Sequence, residues 1–321
     1  MNPGWFSARF LLLLCLAAGL LNAQDQEAAE MVPDRASLIA RLAPKSLLLD
    51  VAQAEGLYVA VGERGHVVTS VDQGASWTQQ PTPTQATLTG VQMHNKQLGW
   101  AVGHDETILK TQDGGSSWRK VRYAPEEQRP FLDILFLDQN NGLAIGAYGL
   151  LMASSDGGDN WESKQVSEED DFHLNHITRS DSGLLYIAAE AGAFYRSRDQ
   201  GLAWESLAPP YEGSFFGCLP LEGDSLLLFG LRGNMFRSDD AGDNWTRIQV
   251  GTEAMLTQGL RLADGRVVVA GLAGTLLVGD GNQFVLHQQA NRLGISALVP
   301  AGNNRLMLVG QGGVRSLDTP R

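Results

Sequence analysis

Cysteine is nearly absent: the 321-residue chain has two, Cys15 and Cys218. Cys15 lies in an apolar N-terminal run, so a chain that loses that run keeps a single thiol, forms no internal disulfide and is stabilised by packing alone. Cys218, after Phe215-Phe216-Gly217, reads as a small buried hydrophobe. A membrane-length apolar run is missing too. The longest, Phe10 to Leu21, has 12 residues, where a span needs roughly 20. Basic charge is scarce, with 24 Lys and Arg against 36 Asp and Glu and a net charge of −12, which argues against a nucleic-acid partner. No long helical period occurs after the first forty residues.

The short apolar run has its own meaning. Arg9 precedes it and Leu21-Asn22-Ala23 follows, the layout of a secretion signal cut before Gln24. The expected location is therefore the periplasm, with no membrane span after cleavage. Leu14, preceding Cys15, is not the small residue that a lipid-anchoring site wants. The mature chain keeps 23 basic and 36 acidic residues.

What is abundant is a repeat. The pattern Ser/Thr-x-Asp-x-Gly-x-x-Trp, an Asp-box, occurs at Ser70 to Trp77, Thr111 to Trp118, Ser154 to Trp161, Ser197 to Trp204 and Ser238 to Trp245. Its tryptophans lie 41, 43, 43 and 41 positions apart, the period of a four-stranded propeller blade. The residue types have physical reasons. Asp72, Asp113, Asp156, Asp199 and Asp240 can bond the backbone of a tight turn, the glycine accepts positive φ, and Trp77, Trp118, Trp161, Trp204 and Trp245 can cover the seam between blades. These ten residues are read as structural.

A second pattern, Gly-x-x-Gly between two apolar strands, extends the count. It recurs at Gly62 to Gly65, Gly103 to Glu106, Gly146 to Gly149, Ala189 to Gly192, Gly230 to Gly233, Gly271 to Gly274 and Gly310 to Gly313, which makes seven units. In the sixth the box has decayed to Asp280-Gly281-Asn282-Gln283-Phe284, and the seventh ends one strand short. The fold class is thus all-β, a seven-bladed propeller over residues 45–321 with a polar lead over residues 24–44. Ser37 to Leu42 is expected to supply the missing strand of the last blade and close the ring.

Propeller geometry puts the Gly-x-x-Gly turns and the links between blades on one face, and the boxes on the other. Binding groups are expected on the first face. The turns place Arg64, His104, Asp105, Glu106, Tyr148 and Arg232 there. The three longest links add Glu127 and Arg129, then Phe172 and His173, then Tyr211 and Phe215. In the middle link, Asp170, Asp171, His173 and His176 are the one arrangement resembling a metal site, provided the two imidazoles converge; strand alternation would instead throw them to opposite faces.

Two other function classes were weighed. A sialidase-like hydrolase needs an arginine cluster, a Tyr nucleophile paired with Glu, and an acid/base Asp. Tyr148, Glu190 and Arg232 could be cast in those roles, but two-residue turns leave little depth for a sugar. A metal- or small-ligand propeller would rest on the acidic link alone.

The paired pattern within each blade, as in Gly142 to Leu150 followed by Ser154 to Trp161, or Phe229 to Ser238, resembles the photosystem II stability and assembly factor family of secreted seven-bladed propellers, in its non-photosynthetic bacterial branch. The resemblance spans about Leu47 to Leu317. It implies a non-catalytic scaffold without a cofactor, monomeric, that holds a membrane protein during assembly. Photosynthetic members carry an arginine-rich patch, whereas here Arg64, Arg196, Arg198, Arg232 and Arg237 are spread over several blades. The expected client is an envelope protein such as an efflux-type transporter.

Overall fold

The computed structural model describes residues 34–302 and 304–320; the signal expected over residues 1–23 lies outside them. Among the described residues the strands form seven antiparallel sheets, six of four strands and one of three, each built from consecutive segments. The inner strands are Leu48–Ala54, Leu88–Met93, Phe131–Phe136, Leu174–Arg179, Phe215–Pro220, Leu256–Arg261 and Ile295–Pro300. Each lies against the inner strand of the next sheet, and the last lies against the first. The array is a closed ring, the seven-bladed propeller that the repeats predict.

The second strand of each blade explains why these segments read as unbroken apolar runs. Leu57–Gly62, Gly99–Gly103, Gly142–Gly146, Leu185–Ala189, Leu226–Gly230 and Val267–Gly271 are buried at every position. Blades stack face to face, so these strands have no solvent side and no reason to alternate. The outer strands pack on one flank only, and Glu162–Lys164 is exposed throughout.

All seven inner strands carry a bulge near their start, after Leu48, Leu88, Phe131, Leu174, Phe215, Leu256 and Ile295. The extra residue turns sideways. Thr89 Oγ1 donates to the Phe131 carbonyl at 2.8 Å, Asn175 Nδ2 to that of Phe215 at 2.8 Å, and Thr257 Oγ1 to that of Ile295 at 2.9 Å. A one-residue irregularity thus becomes a latch to the next blade.

The box turns are built alike. Ser70 Oγ donates to Asp72 Oδ1 at 2.8 Å, which also accepts the Ser76 amide at 2.9 Å, and Trp77 Nε1 donates to the Gly74 carbonyl at 3.2 Å. These donors favour the charged carboxylate. The side chains of Ser76, Asn160 and Asn244 are the main cause holding Asp72, Asp156 and Asp240 down at about 2. Each tryptophan leans on the preceding blade: Trp118 packs with Leu57 and Val59, and Trp245 meets Phe194 edge-on at 5.5 Å. Trp100, outside any box, is fully buried, stacks on Phe136 at 3.4 Å between centroids, and donates to the Gly157 carbonyl at 2.9 Å. Asp280 of the sixth unit still accepts the amides of Asn282 and Gln283, and Phe284 packs where a tryptophan would.

The ring does not close as the strand count suggested. The seventh sheet has three strands, Ile295–Pro300, Arg305–Gly310 and Arg315–Asp318, and Ser37 to Leu42 is not its fourth. That segment bonds the outer part of blade one. The Ser37 amide donates to the Thr82 carbonyl at 2.9 Å, and Gln79 takes the Ala40 amide at 2.7 Å while donating to the Leu38 carbonyl at 2.9 Å. A backbone pairing with a glutamine side chain is satisfied without a ladder. Closure comes from packing, with Ala43, Leu48, Val51, Ala60 and Val68 against Ala297 and Val309, and from the Val314 amide donating to the Pro44 carbonyl at 2.9 Å. Blade six also bonds the last blade and the residues after it: Arg266 bonds Asn304 Oδ1 at 3.1 Å and the Pro320 carbonyl at 2.7 Å.

Seam burial sets a ranking among the tryptophans. Trp118 is 7 % exposed with its indole N–H bonded to Gly115, whereas Trp204 is half-buried with that group unbonded. Trp118→Ala is expected to cost about 3–5 kcal/mol in urea unfolding, and Trp204→Ala clearly less.

Candidate functional site: the turn and link face

The turn between second and third strands closes on two residues. In blade one the His66 amide donates to the Glu63 carbonyl at 3.0 Å, and Arg64 and Gly65 both have positive φ, 57° and 68°. That is a type I′ hairpin, whose hand suits the twist of the strands it joins. The first of the two central residues has φ between 54° and 57° at Arg64, Asp105, Tyr148, Ala191, Arg232 and Ala273. A side chain with a β-carbon costs about 1 kcal/mol there. Bulky residues at such positions show that stability alone did not choose them.

Turns and links do share one face. The Gly149 amide donates to the Phe172 carbonyl at 3.0 Å, the Glu190 amide to that of His173 at 3.0 Å, and the Leu231 amide to that of Ser214 at 3.1 Å. Arg64, His104, Glu127 and Arg232 are exposed there, as is Tyr148, at 57 %. Asp105 and Phe172 are half-buried.

Not every expected residue reaches solvent. Phe215 is fully buried, because it opens an inner strand at the position of Leu48, Leu88, Phe131 and Leu174, all of which are core. Tyr211 folds in with it, its ring 5.7 Å from Phe215 and 6.2 Å from Phe236. In the link over residues 209–216, Phe215 is therefore core, while Tyr211 stays half-buried on top of it.

The four residues read as a metal arrangement do not converge. His173 precedes the strand; its ring lies edge-on to Tyr148 at 4.8 Å with Nδ1 3.8 Å from Glu190 Oε2. His176 follows the bulged Asn175 and points to Asp133 of the neighbouring blade, with Nδ1 2.7 Å from Oδ2. Asp170 is held by Ser167 at 3.1 Å and by Tyr195 at 3.4 Å. Among the described residues no metal-ligating group of three forms. Of the residues cast as a hydrolase, Tyr148 lies edge-on to His173 at 4.8 Å, and Glu190 Oε1 accepts the His173 amide at 2.9 Å.

Glu106, a turn residue expected on this face with His104 and Asp105, is instead withdrawn from it. Glu106 takes the place of the last turn glycine, at φ 47°, and is fully buried. Arg122 Nε donates to its Oε2 at 3.0 Å, Arg129 Nε to its Oε1 at 2.8 Å, and Arg129 also pairs with Glu127 at 3.2 Å. Arg129 is thus committed to fixing its own link. The departure from glycine at residue 106 was the available signal. Two guanidiniums offset the desolvation of one buried carboxylate, and removing the carboxylate charge leaves them unmatched. Glu106→Gln is expected to cost about 3 kcal/mol in chemical unfolding and to speed proteolytic cutting between residues 123 and 130.

Between blades three and four the face carries a hollow of about 450 Å³, lined by Arg129, Tyr148, Lys164 and the acidic run Glu168 to Asp171. Its cations are already paired, Arg129 as above and Lys164 with Glu162 at 3.0 Å. Among the described residues no cation lies within ion-pair distance of Glu168, Glu169, Asp170 or Asp171. A larger hollow, of about 550 Å³, lies at the box end of the same blades, where Leu143, Asp156 and Leu202 line it, away from the turns.

The comparisons fit this geometry. The family described as photosynthesis system II assembly factor YCF48 matches over residues 39–130, 69–206 and 123–278. A chloroplastic photosystem II stability/assembly factor, HCF136 of Cyanidioschyzon merolae, is 33% identical over 66 residues, and an uncharacterised protein of Bacillus subtilis, YkuO, is 35% identical over 71. Those stretches are 20% and 22% of this chain and only 15% and 23% of the two relatives. Among solved structures, YCF48 bound to D1 peptide superposes with a TM-score of 0.71 at 19% identity, covering 90% of this chain and 98% of that one. YCF48 from Cyanidioschyzon merolae gives 0.68 at 14%, covering 85% and 95%. The WD40 propeller domain of Doa1 also gives 0.68, at 12%, covering 86% and 94%, so at these identities the likeness speaks for the fold. With family matches running over residues 39–278 and seven blades behind them, the chain belongs to the YCF48 family of assembly-factor propellers.

Proposed function

We propose that this protein is a non-catalytic scaffold of the periplasm that holds an envelope membrane protein, such as an efflux-type transporter, while that protein is assembled. The observation that carries this reading is Tyr148, a large exposed aromatic kept in a left-handed turn position beside the uncompensated carboxylates of Glu168 to Asp171. Exposed aromatics anchor protein contacts, and a ring flanked by acid suits a cationic side chain or a basic extended segment. A similar propeller, YCF48, has been seen with a D1 peptide, and a peptide-holding role is what we carry over. A rigid ring suits the task, since a preformed face orders little on binding.

The test is capture from crosslinked membranes with the mature protein as bait. Wild type is expected to retain a membrane protein, and Tyr148→Ala combined with Glu168→Gln and Glu169→Gln is expected to lose at least tenfold of it. Recovery of nothing above background, or equal recovery with the triple variant, contradicts the proposal.

A further inference from the structure

The inner strands hold three titratable residues that stand apart from the docking face. Asp50, Asp133 and His176 occupy the same position in blades one, three and four, the first residue after the bulge. The other blades place Gly90, Gly217, Gln258 and Ala297 there, none of them titratable. Asp50 accepts the amide of Val51 at 2.8 Å and, across to blade two, that of Val91 at 2.8 Å. Asp133 accepts the amides of Ile134 at 2.8 Å and, in blade four, Ile177 at 2.9 Å, and its Oδ2 also receives His176 at 2.7 Å. The His176 and Asp133 side chains keep 27 % and 18 % of their surface exposed.

Bonding across blades does not need charge. Gln258 accepts the Leu298 amide of the next blade at 2.5 Å from the same position, so a neutral carbonyl does the same work. An imidazole with a carboxylate 2.7 Å from one nitrogen is favoured in its protonated, charged form. Two carboxylates near each other are relieved when one is protonated.

We propose that Asp50, Asp133 and His176 form a proton-binding set in the innermost ring, which joins blade one to two and blade three to four more tightly in mildly acidic than in alkaline conditions. Burial, and then the Asp133 charge, push Asp50 up to about 7. Burial pulls His176 down, but the charge and hydrogen bond of Asp133 outweigh it and the net direction is up. Cys218, the other titratable group packed nearby, is buried with its thiol pushed up and stays neutral. Both shifts have the same sign. The folded state holds these protons more tightly than the unfolded chain, so stability falls as pH rises from the ordinary Asp range to about 7, and again through the raised value of His176.

Thermal unfolding of the mature protein between pH 5.5 and 8.5 tests this. The wild-type midpoint is expected to fall by roughly 3 °C or more across that range. Asp50→Asn, which mimics the protonated acid, should shrink the fall, and Asp50→Asn with His176→Gln should abolish most of it. NMR of the wild-type histidines supplies a readout that survives a variant's failure to fold: one imidazole, bonded to a carboxylate, should titrate above its ordinary 6.5. A flat wild-type midpoint, a fall unchanged in the double variant, or no histidine titrating above 6.5 overturns the proposal.

Discussion

Face-to-face burial of the blades is the constraint on which everything else rests. A sheet whose second strand is apolar on both sides, as Leu185–Ala189 is, cannot be soluble alone and needs a neighbour on each flank. Seven such sheets satisfy one another only if the last meets the first, and they do so through Ala297 and Val309 against Val51 and Ala60. Latches at Thr89, Asn175 and Thr257 then fix each blade's rotation about its neighbour. A ring fixed in this way holds its turns and links in a constant arrangement, which is what a docking face requires.

The parts of this architecture written in local chemistry were legible in the sequence. An Asp-box is a turn whose hydrogen bonds stay within eight residues, so its spelling is local and recurs in five blades, and even the decayed unit at Asp280 keeps its two amide bonds. The Gly-x-x-Gly turn is legible for the same reason: its backbone presses on the passing link, and a β-carbon on Gly62 would lie 2.2 Å from the Leu47 carbonyl. Counting these two patterns gives the blade number.

What depended on distant partners was not legible. Ser37 to Leu42 has the place in the chain of a closing strand, yet Gln79 satisfies its backbone with a side chain, and nothing in the segment's own residues announces that. Phe215 looks like an exposed link aromatic until the bulge at Phe216 makes it the first core residue of its strand. His173 and His176 seem a pair by spacing and are separated by the bulge at Asn175. Asp50 and Asp133 lie far apart in the chain, and only the strand pairing reveals that they share the position after the bulge. Glu106 announced itself only as a missing glycine.

The central functional claim is that partners meet the turn face and not the box face, and site-specific photocrosslinking in intact cells tests it most directly. A photoreactive residue in place of Tyr148 probes the first face, and one in place of Leu202, which is 84 % exposed within the box of blade four, probes the second. The account predicts an adduct with a membrane protein from position 148 and none from position 202. An adduct from position 202 alone, or from neither, would contradict it.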